Sequence, residues 1–285
     1  MNEIRIASVL ARTRALEQLA RFGEGRAIFL RDVPADVDSG GSLYPRCMFD
    51  WQPESGAARA GTLTVYIVAL DENAASPVDM GEMLRRELNG MAFGGDTACV
   101  LCWRGTRGFG AGLRERDAPR ISGVELEFSA HEFVRSGGVE AALEQALGSL
   151  LGMRSVHDAS PEGEPGGAQM YACRLTELRG GLGTAGFAWQ SCEASLYLPC
   201  ADASSARAVY ESIASSGHIA SETYALLLEQ TRLSLDADGC SRAQIRLSGR
   251  CNAPNEQETA APLLSRVELR AGELSAALAA GGDKG

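Results

Sequence analysis

"VELEFSAHEF", residues 124–133, and "AQIRLSGRCN", residues 243–252, say nearly the same thing. Each alternates apolar with polar positions, reaches Ser–Ala or Ser–Gly and stops. That period of two marks a strand with one buried face. Leu126, Phe128, Ser129 and Ala130 line up with Ile245, Leu247, Ser248 and Gly249. The polar faces differ in sign: that of the first closing strand carries Glu125, Glu127 and His131, and the equivalent face of the second carries Arg242, Arg246 and Arg250.

Working outward, the sequence before each phrase has the same order of elements. The first copy opens with a predicted helix at about 2–22, with Ile4, Val9, Leu16 and Leu19 among its apolar positions. The turn-rich "RDVPADVDSGG" follows, then the strands "LYPRCMFDWQ" and "TLTVYIVAL", the latter with Leu63, Val65, Ile67 and Ala69 on one face. In "SPVDMGEMLRREL" Ser76 is a helix N-cap, Pro77 sits at the first helical position and Asp79 suits the positive helix end. The strands "TACVLCWRG" and "RISGVELEFSAHEF" close the copy.

"VRSGG", 134–138, punctuates the chain and the order restarts. "GVEAALEQALGSLLG" reads as a helix, "ASPEGEPGGA" as a loop, and "MYACRLTELRG" and "WQSCEASLYL" as strands. Asp202 or Ser204 caps a helix through "SSARAVYESIASS", and the last two strands are joined by the hairpin turn "DADG". Cys47 in "YPRC" matches Cys173 in "MYAC", and Tyr66 with Asp71 matches Tyr197 with Asp202. The expected fold is α+β: two tandem copies of an α-β-β-α-β-β domain with mainly antiparallel sheets, over 1–136 and 137–254. Residues 255–285 form an appendix, a short helix or disordered.

Composition narrows the function. At 285 residues, 45% hydrophobic and 22% charged, the chain reads as an ordinary globular protein. It has no run of 18 apolar residues and no signal-peptide core, which predicts no membrane segment and a cytoplasmic setting. A formal net charge of −10 argues against phosphate neutralisation, hence against sequence-specific nucleic-acid binding. Of the eight cysteines, Cys99 and Cys102 form a C-x-x-C, but on a strand residues three apart point to opposite faces. The cysteines are expected to be small buried hydrophobes.

Catalytic signatures are missing. "GLGTAG", Gly181–Gly186, has the glycine spacing of a dinucleotide loop, yet a strand follows it where that loop needs a helix N-terminus. "RGFGAGLRERD", 107–117, lacks G-K-[ST] and reads as a long hairpin tip that carries Arg107, Arg114 and Arg116, an interaction element. His131, His157 and His218 lie in unrelated contexts, and His131 is expected at the surface. No enzyme, cofactor or metal is expected. The site expectation is for interaction residues: Arg107, Arg114, Arg116, Glu125, Glu127, Arg242, Arg246 and Arg250.

The first copy resembles the tail terminator (tail completion) proteins of long-tailed bacteriophages and tail-like particles. The resemblance lies in the amphipathic N-terminal helix leading through "IFLRDVP" to "YPRCMFD", in "GTLTVYIVALDENAASPVDMGEMLRREL", and in the closing "RISGVELEFSAHEF". It covers most of 1–135 and, more weakly, 137–252. It implies a virion structural protein, assembled in the host cytoplasm, that forms a ring on the last tail-tube ring. Such a ring ends tube polymerisation and meets the head connector, and genome DNA passes through it. Its partners would be itself, as a hexamer or a pseudo-hexameric trimer, the tail tube protein and the connector. Family members usually carry one copy of the unit. Two other classes stay open: another neck, tube or baseplate component, and a duplicated ligand-binding or enzymatic module.

Overall fold

A computed structural model describes residues 2–31, 43–54, 59–70, 75–111, 121–135, 137–165, 170–180, 183–184, 187–199, 201–221, 224–235, 243–254, 268–270 and 273–275. Helix α1 spans Glu3–Arg12, with Asn2 Oδ1 accepting the Arg5 N–H at 2.9 Å. It stops well short of residue 22. Thr13 turns extended, and its amide and hydroxyl both donate to the Leu10 carbonyl. The freed N–H groups of Arg14 and Ala15 then donate to the Glu87 carboxylate, at 3.0 and 3.1 Å. A distant side chain thus takes over where the periodicity alone would continue the helix.

The strands of the first sheet are β1 (Ile28–Leu30), β2 (Arg46–Pro53), β3 (Arg59–Leu70), β4 (Met91–Phe93), β5 (Thr97–Ala111) and β6 (Ile121–Val134). Helix α2 (Pro77–Leu88) lies between β3 and β4, and Ser76 accepts the Asp79 N–H as its cap. In the second half come α3 (Val139–Leu151), β7 (Arg154–Ser155), β8 (Glu164–Pro165), β9 (Met170–Arg179) and β10 (Phe187–Leu198). Then follow α4 (Ala203–Ser216), β11 (His218–Ala220), β12 (Ala225–Leu235) and β13 (Ala243–Pro254). Asp202 is the α4 cap.

The first sheet runs β8-β4-β5-β6-β3-β2-β1, and the second β11-β12-β13-β10-β9-β7, with Gly183–Thr184 added against β10. From β4 to β1 and from β11 to β7 the path is the same. Each has one parallel pair, β1 with β2 and β7 with β9, and is otherwise antiparallel. The fold is therefore α+β with mainly antiparallel sheets.

Period-two alternation sends Leu63, Val65, Leu126 and Phe128 under α1 and α2, and Leu196, Ile245 and Leu247 under α3 and α4, forming one core on each sheet. A third cluster joins the two halves. The opposite face of the first sheet gives it Ala92, Ala98, Val100 and Phe133, and the second half gives Val156, Ala159, Met170 and Ala172. Phe133 and Tyr197 stack there in a tilted pair, centroids 5.6 Å apart. Around this seam β8, from the second half, pairs with β4 of the first. Gly95 N–H donates to the His157 carbonyl at 3.0 Å, and the Gly95 carbonyl lies 2.9 Å from His157 Nδ1.

Several expectations change here. "ASPEGEPGGA" is not only a loop, since Glu164–Pro165 extends the first sheet. His131 is buried, not superficial, with Nε2 2.8 Å from Ser129 Oγ. Only the end of its polar strand face is covered: His131 lies beside Val100 and Phe133 of the cluster between the halves, while Glu125 and Glu127 farther along stay unburied. Within the appendix, expected to be a short helix or disordered, Glu268–Arg270 and Glu273–Ser275 pair as antiparallel strands. The "DADG" turn and Asp71 lie outside the described residues.

Candidate interaction faces

Setting Leu126 on Ile245 makes the ladder partners correspond across the sheets. Val65 and Phe49 are reached in the first, and Leu196 and Cys173 in the second. On the faces away from the helices the correspondence gives rows that can be compared station by station. One row is Asp50–Thr64–Glu127–Gly105 in the first sheet and Arg174–Ser195–Arg246–Arg232 in the second. The next is Met48–Tyr66–Glu125–Arg107 against Ala172–Tyr197–Gln244–Ser234. Tyr66 and Tyr197 thus hold one station. Cys47 and Cys173 do not: the station of Cys173 is that of Phe49, and Cys47 corresponds to Tyr171.

The first face is acidic. Neither Glu125 nor Glu127 forms an ion pair with a described residue. Asp50 is bound by Arg31 at 3.0 Å, and the Gln52 amide, then Arg31, hold its carboxyl below the usual range. Burial, then the charges of Glu125 and Asp50, push the Tyr66 hydroxyl up.

The second face is basic and concave, a hollow of about 470 Å³ lined by Glu193, Tyr197, Gln230, Arg232, Gln244 and Arg246 among others. Arg232 and Arg246 are direct cross-strand partners, a like-charge arrangement that opposes pairing unless an anion compensates it. Gln244 Nε2 donates to Ser195 Oγ at 3.0 Å, which fixes the floor. Arg250 pairs locally with Glu229 at 2.7 Å.

Arg107 is not at a hairpin tip, because β5 extends to Ala111 and puts Arg107 opposite Glu125 within the sheet. Arg114, Arg116 and Arg242 lie outside the described residues. The structure brings Arg107 together with Glu125, but it leaves the acidic and basic sets on separate sheets. Arg232 was missed: counting symmetrically about the "DADG" turn sets it opposite Ala243, whereas the ladder pairs it with Arg246.

Other polar clusters serve the fold. Buried Glu144 accepts the Ser155 hydroxyl and meets Arg135 Nε at 3.3 Å, while His157 Nε2 stays 4.0 Å from Glu144. Glu140 accepts the Leu175 N–H at 2.8 Å. The described parts of "GLGTAG", Gly183 and Thr184, pair antiparallel with Ala188 and Phe187 as strand. Cys99 packs into the first core and Cys102 against the seam, on opposite faces, and burial raises the Cys99 thiol to about 12. Among the described residues no group of three or more His, Cys, Asp or Glu could hold a metal, and no helix is long and apolar enough to cross a membrane. No family model, curated protein or solved structure matches the chain.

Proposed function

We propose that this chain is a self-assembling structural subunit built from a duplicated α+β unit. Its assembly would be a ring that caps a phage tail tube, ends tube growth and joins the head connector. The observation that carries the reading is the pair of sheets with one strand path, whose equivalent outer rows are acidic in one and basic in the other. Two related surfaces of opposite charge suit units that alternate around a closed assembly. Three chains would then give a pseudo-sixfold ring, and six chains a ring decorated by the second copies. The work is done by surface contact, with no catalytic step and no cofactor.

The resemblance of the first copy to tail terminators supplies the tail assignment. The net charge of −10 supports it, because a ring that DNA crosses should not hold phosphate tightly. The test is in two parts. Sedimentation and electron microscopy of the purified chain should show closed rings. Adding the chain to polymerising tail tube protein from the same genome should shorten the tubes and leave a cap at one end. A chain that stays monomeric at tens of micromolar and leaves tube length unchanged would overturn the reading.

A further inference from the structure

The hollow on the outer face of the second sheet has the charge and the room of a ligand site. Arg232 of β12 and Arg246 of β13 stand directly opposite each other in the ladder, and both line it. Their Cβ atoms are therefore about 5 Å apart, and like charges at that spacing work against the strand pair. Neither arginine forms an ion pair with a described residue. The same face carries an acidic pair, Glu177 opposite Glu193, and there Arg179 bonds Glu177. One like-charge pair is thus compensated within the chain and the other is not.

We propose that this hollow binds a small phosphomonoester, held at its phosphate by Arg232 and Arg246. The site goes beyond the assembly reading and stands without it.

Charge, donors and room each support that ligand. A phosphomonoester carries about −1.5 to −2 charge at pH 7, which balances two guanidinium groups. It presents three acceptor oxygens, enough for two guanidinium forks at once, whereas a single carboxylate is filled by one fork. Gln230 and Ser248, ladder partners of each other, add an amide and a hydroxyl two residues along from the arginines. The Gln244 amide is already committed to Ser195 Oγ, so the floor is set before a ligand arrives. A phosphate alone fills only part of about 470 Å³, and that volume lies within the range of small-molecule sites, about 300–1,000 Å³. The remainder admits the organic group. At the seam end half-buried Tyr197, tilted against Phe133, puts ring surface on the wall. Glu193 also lines the hollow, opposite Ser248, and its carboxylate works against an anion there. The equivalent row of the first sheet, Asp50–Thr64–Glu127–Gly105, has no arginine, so the site belongs to the second half alone.

Isothermal titration calorimetry of the full-length chain at fixed ionic strength tests this, with inorganic phosphate, adenosine monophosphate and citrate as probes. Phosphate and the nucleotide should each bind once per chain, and citrate more weakly than either. Arg232→Gln and Arg246→Gln should each weaken nucleotide binding about tenfold or more. Each should also melt higher than the wild type without ligand, because the like-charge pair is gone. Glu193→Gln should bind more tightly. Arg250→Gln, on the same face but paired with Glu229 and outside the hollow, should bind as the wild type does. Arginine variants at 232 and 246 that bind like the wild type would overturn the site, as would an equal loss in Arg250→Gln. A wild type that binds neither phosphate nor nucleotide would overturn it too. Binding of phosphate without the nucleotide, or citrate bound as tightly, would overturn the ester as its ligand.

Discussion

Glu127 and Arg246 hold one station in two sheets of the same path, each flanked by a hydroxyl, Thr64 or Ser195, on the neighbouring strand. A carboxylate and a guanidinium at equivalent positions give the halves outer faces of opposite sign. Exposed pairs formed between such faces would contribute only ~0–1 kcal/mol each, so they set register and partner choice more than affinity. Glu125→Arg with Glu127→Arg should therefore impair assembly, and adding Arg246→Glu with Arg250→Glu should restore it. Salt raised to about 0.5 M should weaken wild-type assembly through screening. Sedimentation profiles unchanged by either the reversal or the salt would show that the faces do not meet.

Gly94 sits where the halves touch most closely. A Cβ built there would lie 2.0 Å from the Ala159 carbonyl oxygen, which is backbone and has no rotamer to yield. Gly94→Ala should push the 157–160 turn off the first sheet and destabilise by about 1–3 kcal/mol, the usual range for overpacking. Urea midpoints of the two proteins measure it. A difference below the error of the fit would mean that the turn moves freely.

Much of this was legible in the sequence because it rests on local rules. The alternation at 124–128 and 243–247 gives buried Leu126, Phe128, Ile245 and Leu247, and Ser76 and Asp202 cap the helices that they announce. What failed depends on long-range contacts. The end of α1 is decided by Glu87, seventy-odd residues away, and the burial of His131 by a face of the second half. Glu164–Pro165 is too short to show a period, and its pairing with β4 exists only once the halves meet. The charge contrast was readable from alternation, whereas the row that contains Arg232 needed the hairpin register as well.

Phe133 is the largest side chain that the first sheet sends into the seam, where Tyr197 receives it. Phe133→Ala should cost about 3–5 kcal/mol, as aromatic truncations in cores do. Because the seam couples the halves, the variant should also split one unfolding transition into two. Differential scanning calorimetry checks both effects. A single transition at the wild-type temperature would mean that the seam adds nothing to either half.

Acid should weaken the fold in a defined window. The Ser205 N–H, then its hydroxyl, hold the Asp202 carboxyl below its usual range, and Glu82 falls to about 2 through its hydrogen bonds to Arg85 and then Arg86. Both groups bind protons more tightly when unfolded, near pH 4, than when folded. Their contribution is therefore present above that pH and lost as pH falls towards 2. Asp202→Asn keeps a capping oxygen but removes the titration, so its stability should fall less steeply between pH 5 and about 2. Identical slopes for the two proteins would remove Asp202 from the account.

The corresponding stretches of the two closing strands end differently, on Ala130 in the first half and Gly249 in the second, and the strand beside them explains why. Both penultimate strands carry a β-bulge, but at different stations. In β5 the extra residue is Arg104, opposite Glu127 and Phe128. In β12 it is Glu229, opposite Ser248 and Gly249. The second bulge swings the Leu227 carbonyl over Gly249, where a Cβ would lie 1.9 Å from its oxygen. At Ala130 the β5 bulge is two stations away, the β3 bulge beside it leaves room, and the methyl is fully buried in the core. Gly249→Ala should then destabilise by about 1–3 kcal/mol, because backbone must move to admit one carbon. Ala130→Gly should cost less, roughly 0.5–1 kcal/mol from chain entropy and a small lost contact. Urea denaturation of the two variants beside the wild type gives the comparison. If Gly249→Ala proves as stable as the wild type, the bulge at Glu229 is not where the ladder places it.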